Sequence, residues 1–185
     1  MGTPKQLLRV GSDTLLRRIV EQALASSARA TFVVIGANAE QIRAELHQLP
    51  VVFVENSRFG EGIGTSISAA VQAIAGEPSA FDAVVLLTCD QPNVSAASID
   101  QLISAHAASA APLVASSYAG TLGVPALFAR EYFGALRELP PNRGAKEILM
   151  CHRADVVAVS FEPAAVDLDT PGEYEQFTRG GRATS

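Results

Sequence analysis

Several features are scarce or missing in this sequence of 185 residues. Its two cysteines, Cys89 and Cys151, are far apart, which excludes a disulfide framework and a Cys-x-x-Cys metal site. No run of about 18 apolar residues is present, so we expect no membrane-spanning helix. The net charge of −5, without a basic cluster, argues against a nucleic-acid or anionic membrane surface. These absences together predict a cytoplasmic protein.

Residue patterns for covalent catalysis are also missing. No serine lies in a Gly-x-Ser-x-Gly turn, and no Cys/His pair indicates a nucleophile with its base. The three histidines, His47, His106 and His152, occur singly on predicted helices, without the spacing of metal ligands. We therefore interpret the histidines as surface or filler positions and expect no covalent catalysis.

Apolar residues alternate between strand and helix patterns along the chain. "TFVVIGA", "VVFVEN", "DAVVLLTCD", "PLVASSY" and "DVVAVSF" read as strands, and segments such as "TLLRRIVEQALAS" and "GTSISAAVQAIAG" separate them as helices. Strands that are apolar on both faces predict an α/β domain of three layers, with a mostly parallel sheet and helices on both faces. We expect one domain over residues 1–178 and a flexible tail over 179–185.

Two acidic stretches end predicted strands, where the ligands of parallel α/β sheets gather. Asp90 follows the run "VVLLTC", and Asp167 and Asp169 alternate on "VDLD" so that both point to one face. Mg²⁺ takes one or two carboxylates together with phosphates and water, so these acids are candidate ligands. Turn capping before Pro92 is the alternative for Asp90, and helix capping is the alternative for Asp169.

A glycine-rich segment, "GEGIGTSISAAV", precedes the third predicted helix. Gly62 and Gly64 would let a ligand approach the backbone, and the amides near Thr65 and Ser66 at the helix start would accept an anion or a base edge. The segment fits neither the P-loop nor the Gly-x-Gly-x-x-Gly pattern, so an ordinary connecting loop is the alternative. Lys5, beside a Gly-Thr-Pro turn, is either an exposed lysine or a cation for a phosphate group.

These motifs, in this order, resemble the molybdenum cofactor cytidylyltransferase (MocA-like) family of Rossmann-type nucleotidyltransferases, within the MobA-like superfamily. The stretches that carry the resemblance are "MGTPKQLL", "GEGIGTSISAAV", "LLTCDQPNVS", "GVPALF", "NRGAKEIL" and "DLDTPGEYEQF". They span nearly the whole chain, and their collinear order is more specific than any single motif.

The resemblance implies a Mg²⁺- or Mn²⁺-dependent transfer of CMP from CTP to molybdopterin cofactor with release of pyrophosphate. It implies Asp90, Asp169 and Asp167 as metal ligands, and Lys5 and Asp90 as the catalytic pair. It places Gly62, Gly64, Thr65 and Ser66 near the base, and Gly123, Pro125, Arg143 and Lys146 along the pterin substrate. It also implies a molybdenum hydroxylase as a protein partner.

The sequence departs from that family's pattern in two places. Relatives open with a strand and a glycine-rich loop, of which only "MGTPK" matches here, so we expect the usual first strand and loop to be missing. Three interpretations of this departure are open: the sequence starts at an internal methionine of a longer protein, a partner chain completes the domain, or the protein is an inactive relative. The position of Met1 in the motif favours the first. Asn142 and Lys146 replace an acid and an arginine of the family's second motif, which leaves the second substrate open. A reaction with another nucleotide or a sugar-phosphate-like acceptor is one alternative. A module that only binds and delivers the cofactor is the other, and the missing loop favours it.

Overall fold

The computed structural model describes residues 4–76, 81–165, 172–174 and 177. Helices α1 to α6 span Leu15–Ala25, Ala39–Leu46, Ile63–Ala75, Ala96–Ser109, Phe133–Arg137 and Lys146–Cys151. Strands β1 to β8 span Arg9–Val10, Asp13–Thr14, Phe32–Ile35, Val52–Glu55, Ala83–Leu86, Leu113–Tyr118, Thr121–Ala129 and Val156–Ser160. No helix in these ranges is long and apolar enough to cross a membrane.

The strands pair in three hydrogen-bonded groups within the described residues. β1 and β2 form a short antiparallel hairpin, β3 and β4 form a parallel pair, and β5-β7-β6-β8 form a four-stranded sheet. The described residues thus begin with a 3-10 turn at Lys5–Leu7 and this hairpin, which precede α1. That the usual first strand and loop are missing stays a prediction.

The α/β architecture is confirmed, but the parallel character holds for only part of the sheet. β3 pairs parallel with β4, and β6 pairs parallel with β8. β7 runs antiparallel to both β5 and β6, and the sequence pattern had not identified it as a central strand. The reason is local, because β6 and β7 are joined by a two-residue turn. Ala119 and Gly120 both have positive φ, 47° and 73°, which is the geometry of a tight hairpin.

Helices cover both faces of the four-stranded sheet, as the alternation of its side chains requires. Leu113 and Phe128 pack with α3, α5 and α6, through residues such as Val71 and Leu149. Val114 and Leu127 point the other way and pack with Leu102 of α4. Successive residues of a strand face opposite sides of a sheet, so these neighbours fill two separate cores.

A third core joins the β3–β4 pair to α1, α2 and the start of α4. Its buried members include Ile19 of α1, Ile35 of β3, Leu46 of α2 and Ile99 of α4, and Val85 of β5 packs against them. This core positions the end of β5, and with it the segment that leads to Asp90, beside the first residues of the described chain.

Candidate functional site

Asp90 lies in a turn beyond the end of β5. The strand stops at Leu86, earlier than the sequence predicts, and three residues lead from there to the carboxylate. The Nζ of Lys5 donates a hydrogen bond of 3.1 Å to Oδ2 of Asp90 across 85 residues of sequence. The two side chains are 31% and 29% exposed, so this ion pair is reachable from solvent. The structure therefore brings together the lysine and the aspartate that the resemblance pairs.

The Asp90 carboxylate suits a hard divalent cation in its chemistry. Oxygen ligands from one or two carboxylates are what Mg²⁺ and Mn²⁺ take, and a carboxylate has acceptor capacity beyond one bond from lysine. Asp167 and Asp169, the other predicted ligands, lie outside the described residues. Among the residues that are described, no three acids, histidines or cysteines cluster as a complete metal site.

Cys89 precedes this carboxylate and is held as a neutral thiol. Burial and, to a smaller extent, the negative charge of Asp90 raise the pKa of the Cys89 thiol to about 11, against the opposing effect of the positive charge of Lys5. The side chain packs against the core around Ile35. At neutral pH this thiol is therefore an inert packing group.

Gln91 is a functional candidate that sequence reasoning missed. Its side chain is 2% exposed, and its Nε2 donates to the carbonyl of Val124 at 3.0 Å and to that of Ala164 at 3.0 Å. Its Oε1 accepts from Oγ1 of Thr88 at 3.3 Å. The only signal in the sequence is a polar residue directly after a predicted strand end, which does not reveal partners so distant.

The predicted substrate residues Gly123 and Pro125 lie on β7, next to that contact. The peptide between Val124 and Pro125 is cis. Ser116 donates its hydroxyl to the carbonyl of Pro125 at 2.7 Å. A Cβ on Gly123 would lie 2.9 Å from Cζ of Tyr118 and closer to its hydroxyl. Packing against Tyr118 therefore accounts for this glycine, and its contact with a pterin stays a prediction.

Gly62 and Gly64 pack against the loop of residues 140–143. The amide of Gly64 donates to the carbonyl of Pro141 at 2.9 Å. A Cβ on Gly64 would lie 2.9 Å from the carbonyl oxygen of Arg143, and one on Gly62 would lie 2.9 Å from the carbonyl carbon of Pro141. Close backbone approach is therefore the reason for both glycines in this structure, and base contact stays a prediction.

A buried hydrogen-bond network fixes Thr65 and Ser66 at the start of α3. Asn56, 6% exposed at the end of β4, donates through Nδ2 to Oγ1 of Thr65 at 2.9 Å and to Oγ of Ser66 at 3.0 Å. Its Oδ1 accepts from the amide of Arg58 at 2.9 Å. Asn56 is a second residue that the sequence did not single out, and it holds the loop that carries Gly62.

Arg143 lies on the loop that packs against Gly62 and Gly64, and Lys146 lies on α6, the helix that follows this loop. Arg143 forms an exposed ion pair with Glu147. Lys146 begins α6. The contact of Gly62 and Gly64 with residues 140–143 therefore joins two stretches of the chain, one expected to contact the base and one expected to contact the pterin.

A polar cavity of about 380 Å³ lies between α1 and the residues that follow Asp90. It is lined by the first half of α1, including Arg18 and Gln22, and by residues 91–95. Asp90 is not among its lining residues, so the carboxylate and the cavity are separate features of the loop. The cavity therefore adds nothing to the assignment of the Lys5–Asp90 pair.

The chain is similar to solved structures over nearly its whole length. The crystal structure of an rv0371c homolog from Mycobacterium sp. strain JC1 has a TM-score of 0.84 at 26% identity, covering 100% of this chain and 91% of that one. The structure of Rv0371C of Mycobacterium tuberculosis H37Rv in complex with manganese has a TM-score of 0.79 at 23% identity, covering 95% and 91% of the two chains.

Curated relatives match over shorter stretches. The purine catabolism protein PucB of Bacillus subtilis (strain 168) is 29% identical over 122 residues, which are 64% of this chain and 57% of that protein. The chain spans about half the length of the curated relatives it matches first. Over residues 1–156 the sequence matches the family described as the MobA-like NTP transferase domain. The match covers most of the chain, and the α/β fold agrees with it, so the chain belongs to the MobA-like NTP transferase family of nucleotidyltransferases.

Proposed function

We propose that this nucleotidyltransferase moves CMP from CTP to molybdopterin cofactor. An oxygen of the acceptor's terminal phosphate forms a new bond to the α-phosphorus of CTP, and the bond from that phosphorus to the oxygen bridging to the β-phosphate breaks. Pyrophosphate leaves with that bridging oxygen. The observation that carries the proposal is the Lys5–Asp90 pair, 3.1 Å apart in a partly exposed turn beyond β5.

The two side chains supply what phosphoryl-type transfer requires. Such reactions depend on positioning and charge neutralisation more than on proton transfer. Asp90, with Asp167 and Asp169 as expected companions, would hold Mg²⁺ or Mn²⁺, which neutralises phosphate charge when it is bound. The ammonium group of Lys5 would hold the triphosphate while its position is fixed by Asp90. In the proposed arrangement, Ser66 and Thr65 border the base, and Arg143 and Lys146 border the acceptor.

Two structures of similar fold contain a nucleotide and a metal of the kind that the proposed reaction uses. A neighbour at 12% identity, CMP:2-keto-3-deoxy-manno-octonic acid synthetase, was solved with CTP, and Rv0371C was solved with manganese. At such identity the likeness establishes the fold alone, so another nucleotide or a sugar-phosphate-like acceptor is the alternative reaction. A module that binds the cofactor and delivers it to a molybdenum hydroxylase is the alternative without catalysis.

The test is a panel of CTP, GTP, ATP and UTP with molybdopterin cofactor, measured as pyrophosphate release with Mg²⁺, with Mn²⁺ and with EDTA. We expect release with CTP and a divalent cation, and none with EDTA. Release with a different nucleotide only would replace CTP. Retention of the cofactor without pyrophosphate from any nucleotide would establish the delivery module and refute the proposal.

Matched variants assign the reaction to the proposed site. Asp90→Asn is expected to lower the rate by about 100-fold or more, since it removes charge stabilisation at the reacting phosphates. Asp155→Asn is the control, because Asp155 is also a solvent-exposed acid beside a basic side chain. Its side chain is 60% exposed, and its carboxylate lies 3.9 Å from the ring of His152. Equal rates in the two variants would remove Asp90 from the mechanism.

A further inference from the structure

We propose that Gln91 is a positioning residue that sets how tightly the site binds its divalent cation. It would do so by fixing the Asp90 turn relative to β7 and to the 3-10 segment Glu162–Ala165. The inference rests on the proposed function, because it assumes that Asp90 is a ligand of the ion. It concerns a residue that contacts neither the ion nor the nucleotide in the proposed mechanism.

The contacts of Gln91 use every polar atom of its side chain. The two N–H groups of Nε2 meet two carbonyls, Val124 on β7 and Ala164 in the 3-10 segment Glu162–Ala165. The Oε1 accepts from Thr88, so residues 88 and 91 close a side-chain bridge around Asp90. A buried amide that is fully satisfied by fixed partners holds one orientation, because every other orientation leaves a buried polar group unpaired. The turn bearing Asp90 is therefore tied to two distant segments.

The tie to Ala164 anchors the Asp90 turn in a buried part of the fold. Ala164 is fully buried, and its amide bonds to the carbonyl of Phe161 at 2.9 Å. Gln91 is the residue next to Asp90 and bonds Ala164 directly. The same side chain therefore sets the position of the proposed metal ligand against the 3-10 segment Glu162–Ala165.

The carbonyl of Val124 adds a third segment to the same junction. It accepts from Gln91 and also from the hydroxyl of Tyr118, at 3.1 Å. Tyr118 in turn packs over Gly123. The junction thus joins the metal side of the proposed site to the β7 stretch that is expected to border the acceptor.

Asn93 provides a matched control for a merely structural contribution. Its Nδ2 donates to the carbonyl of Pro163 at 3.2 Å, so it ties the same loop to the same 3-10 segment. That bond is exposed, whereas the bond from Gln91 to Ala164 is buried. Both variants lose a hydrogen bond to Glu162–Ala165, but only the loss at Gln91 removes the bridge around Asp90.

The experiment compares Gln91→Met, which keeps the length of the side chain and removes its polar atoms, with Asn93→Ala. The affinity for Mn²⁺ is measured by electron paramagnetic resonance at 10 °C, alongside the melting temperature. We expect Gln91→Met to weaken Mn²⁺ binding by about 10-fold or more, which is the order of magnitude for the loss of one contact that orients a metal ligand. Asn93→Ala should weaken it by less than about twofold. If Gln91→Met does not fold, Gln91→Asn, which keeps the amide on a shorter chain, takes its place with an expected loss of threefold or more.

Kinetics supply a readout that a loss of stability would not produce. Raising the Mn²⁺ concentration should restore pyrophosphate release by Gln91→Met to near the wild-type kcat, because the chemistry is intact and only the ion is held loosely. Unchanged Mn²⁺ affinity with a lowered melting temperature, or a rate that no metal concentration restores, overturns the inference. Wild-type protein that binds Mn²⁺ but releases no pyrophosphate refutes the proposed function, and the affinity ratio still decides the role of Gln91. Wild-type protein that binds no Mn²⁺ refutes both.

Discussion

Gly64 offers a direct test of whether the glycine-rich segment exists for packing or for a ligand. In an exposed helix position, replacing glycine by alanine stabilises a protein by about 1 kcal/mol. Gly64 lies in the first turn of α3, and an added Cβ would lie 2.9 Å from the carbonyl oxygen of Arg143 and closer to that of Pro140. Both obstacles are backbone atoms, so the loop of residues 140–143 must move.

The expected cost of Gly64→Ala follows from these contacts. Overpacking costs about 1–3 kcal/mol, and disturbing the Gly64–Pro141 hydrogen bond costs about 1 kcal/mol more. Against the gain in helix propensity, the net destabilisation is about 2 kcal/mol, which for a chain of this size lowers Tm by about 4–8 °C. The assay is thermal unfolding followed by circular dichroism.

Gly134 is the matched control, because it lies within α5 and an added Cβ would meet nothing within 4 Å. Gly134→Ala is expected to raise Tm by about 1–4 °C through helix propensity alone. A Gly64→Ala variant as stable as the wild type, beside a stabilised Gly134→Ala, would refute the packing argument. If that variant also lost nucleotide affinity, the glycine would instead serve ligand approach.

Three further predictions concern the network and the carboxylate turn. Asn56→Ala should lower the free energy of unfolding by about 2–3 kcal/mol in urea titrations, since three hydrogen bonds at a buried site are lost. A fall of less than about 0.5 kcal/mol, which is half the value of one hydrogen bond, would show that water replaces them. Asp90→Asn should change that free energy by only about 0–1 kcal/mol, because its ion pair with Lys5 is partly exposed. In a Cys151→Ser background, alkylation of Cys89 should accelerate up to about pH 11, where its raised pKa lies, and Asp90→Asn should lower that pKa, since the Asp90 charge helps to raise it. Alkylation that levels off near pH 9 would contradict the burial of this thiol.

The pKa of Cys89 also has a consequence for stability. The folded state holds the thiol neutral to about pH 11, whereas the ordinary value is 9.0. The unfolded chain therefore releases this proton first as the pH rises, and the folded state loses stability between pH 9 and pH 11. The stabilisation from the neutral thiol is fully present below pH 9.

The local pattern of the sequence determined much of the fold. Among the described residues, apolar periodicity located the long helices α1 to α4 and the strands β3 to β6 and β8, because burial of one face imposes its period on each segment. It failed at β7, where the two-residue turn at Ala119 and Gly120 reverses the chain, and it extended β5 beyond Leu86. At β7 the hairpin turn and the pairing with β5 decide the structure, and at β5 the pairing with β7 covers only Ala83–Leu86; neither is recorded in the segment's own pattern.

The candidate site was determined by the sequence only in its residue types. The acid after "VVLLTC" and the lysine in "MGTPK" were recognisable as chemistry, but their contact spans 85 residues and exists only in the folded chain. Gln91 reaches Val124 and Ala164 across 33 and 73 residues, and Gly64 meets a loop near Pro140. Periodicity records which face of a segment is buried and carries no information about what lies against it. Tertiary packing alone therefore decided which glycine is needed for close approach and which amide holds the carboxylate turn.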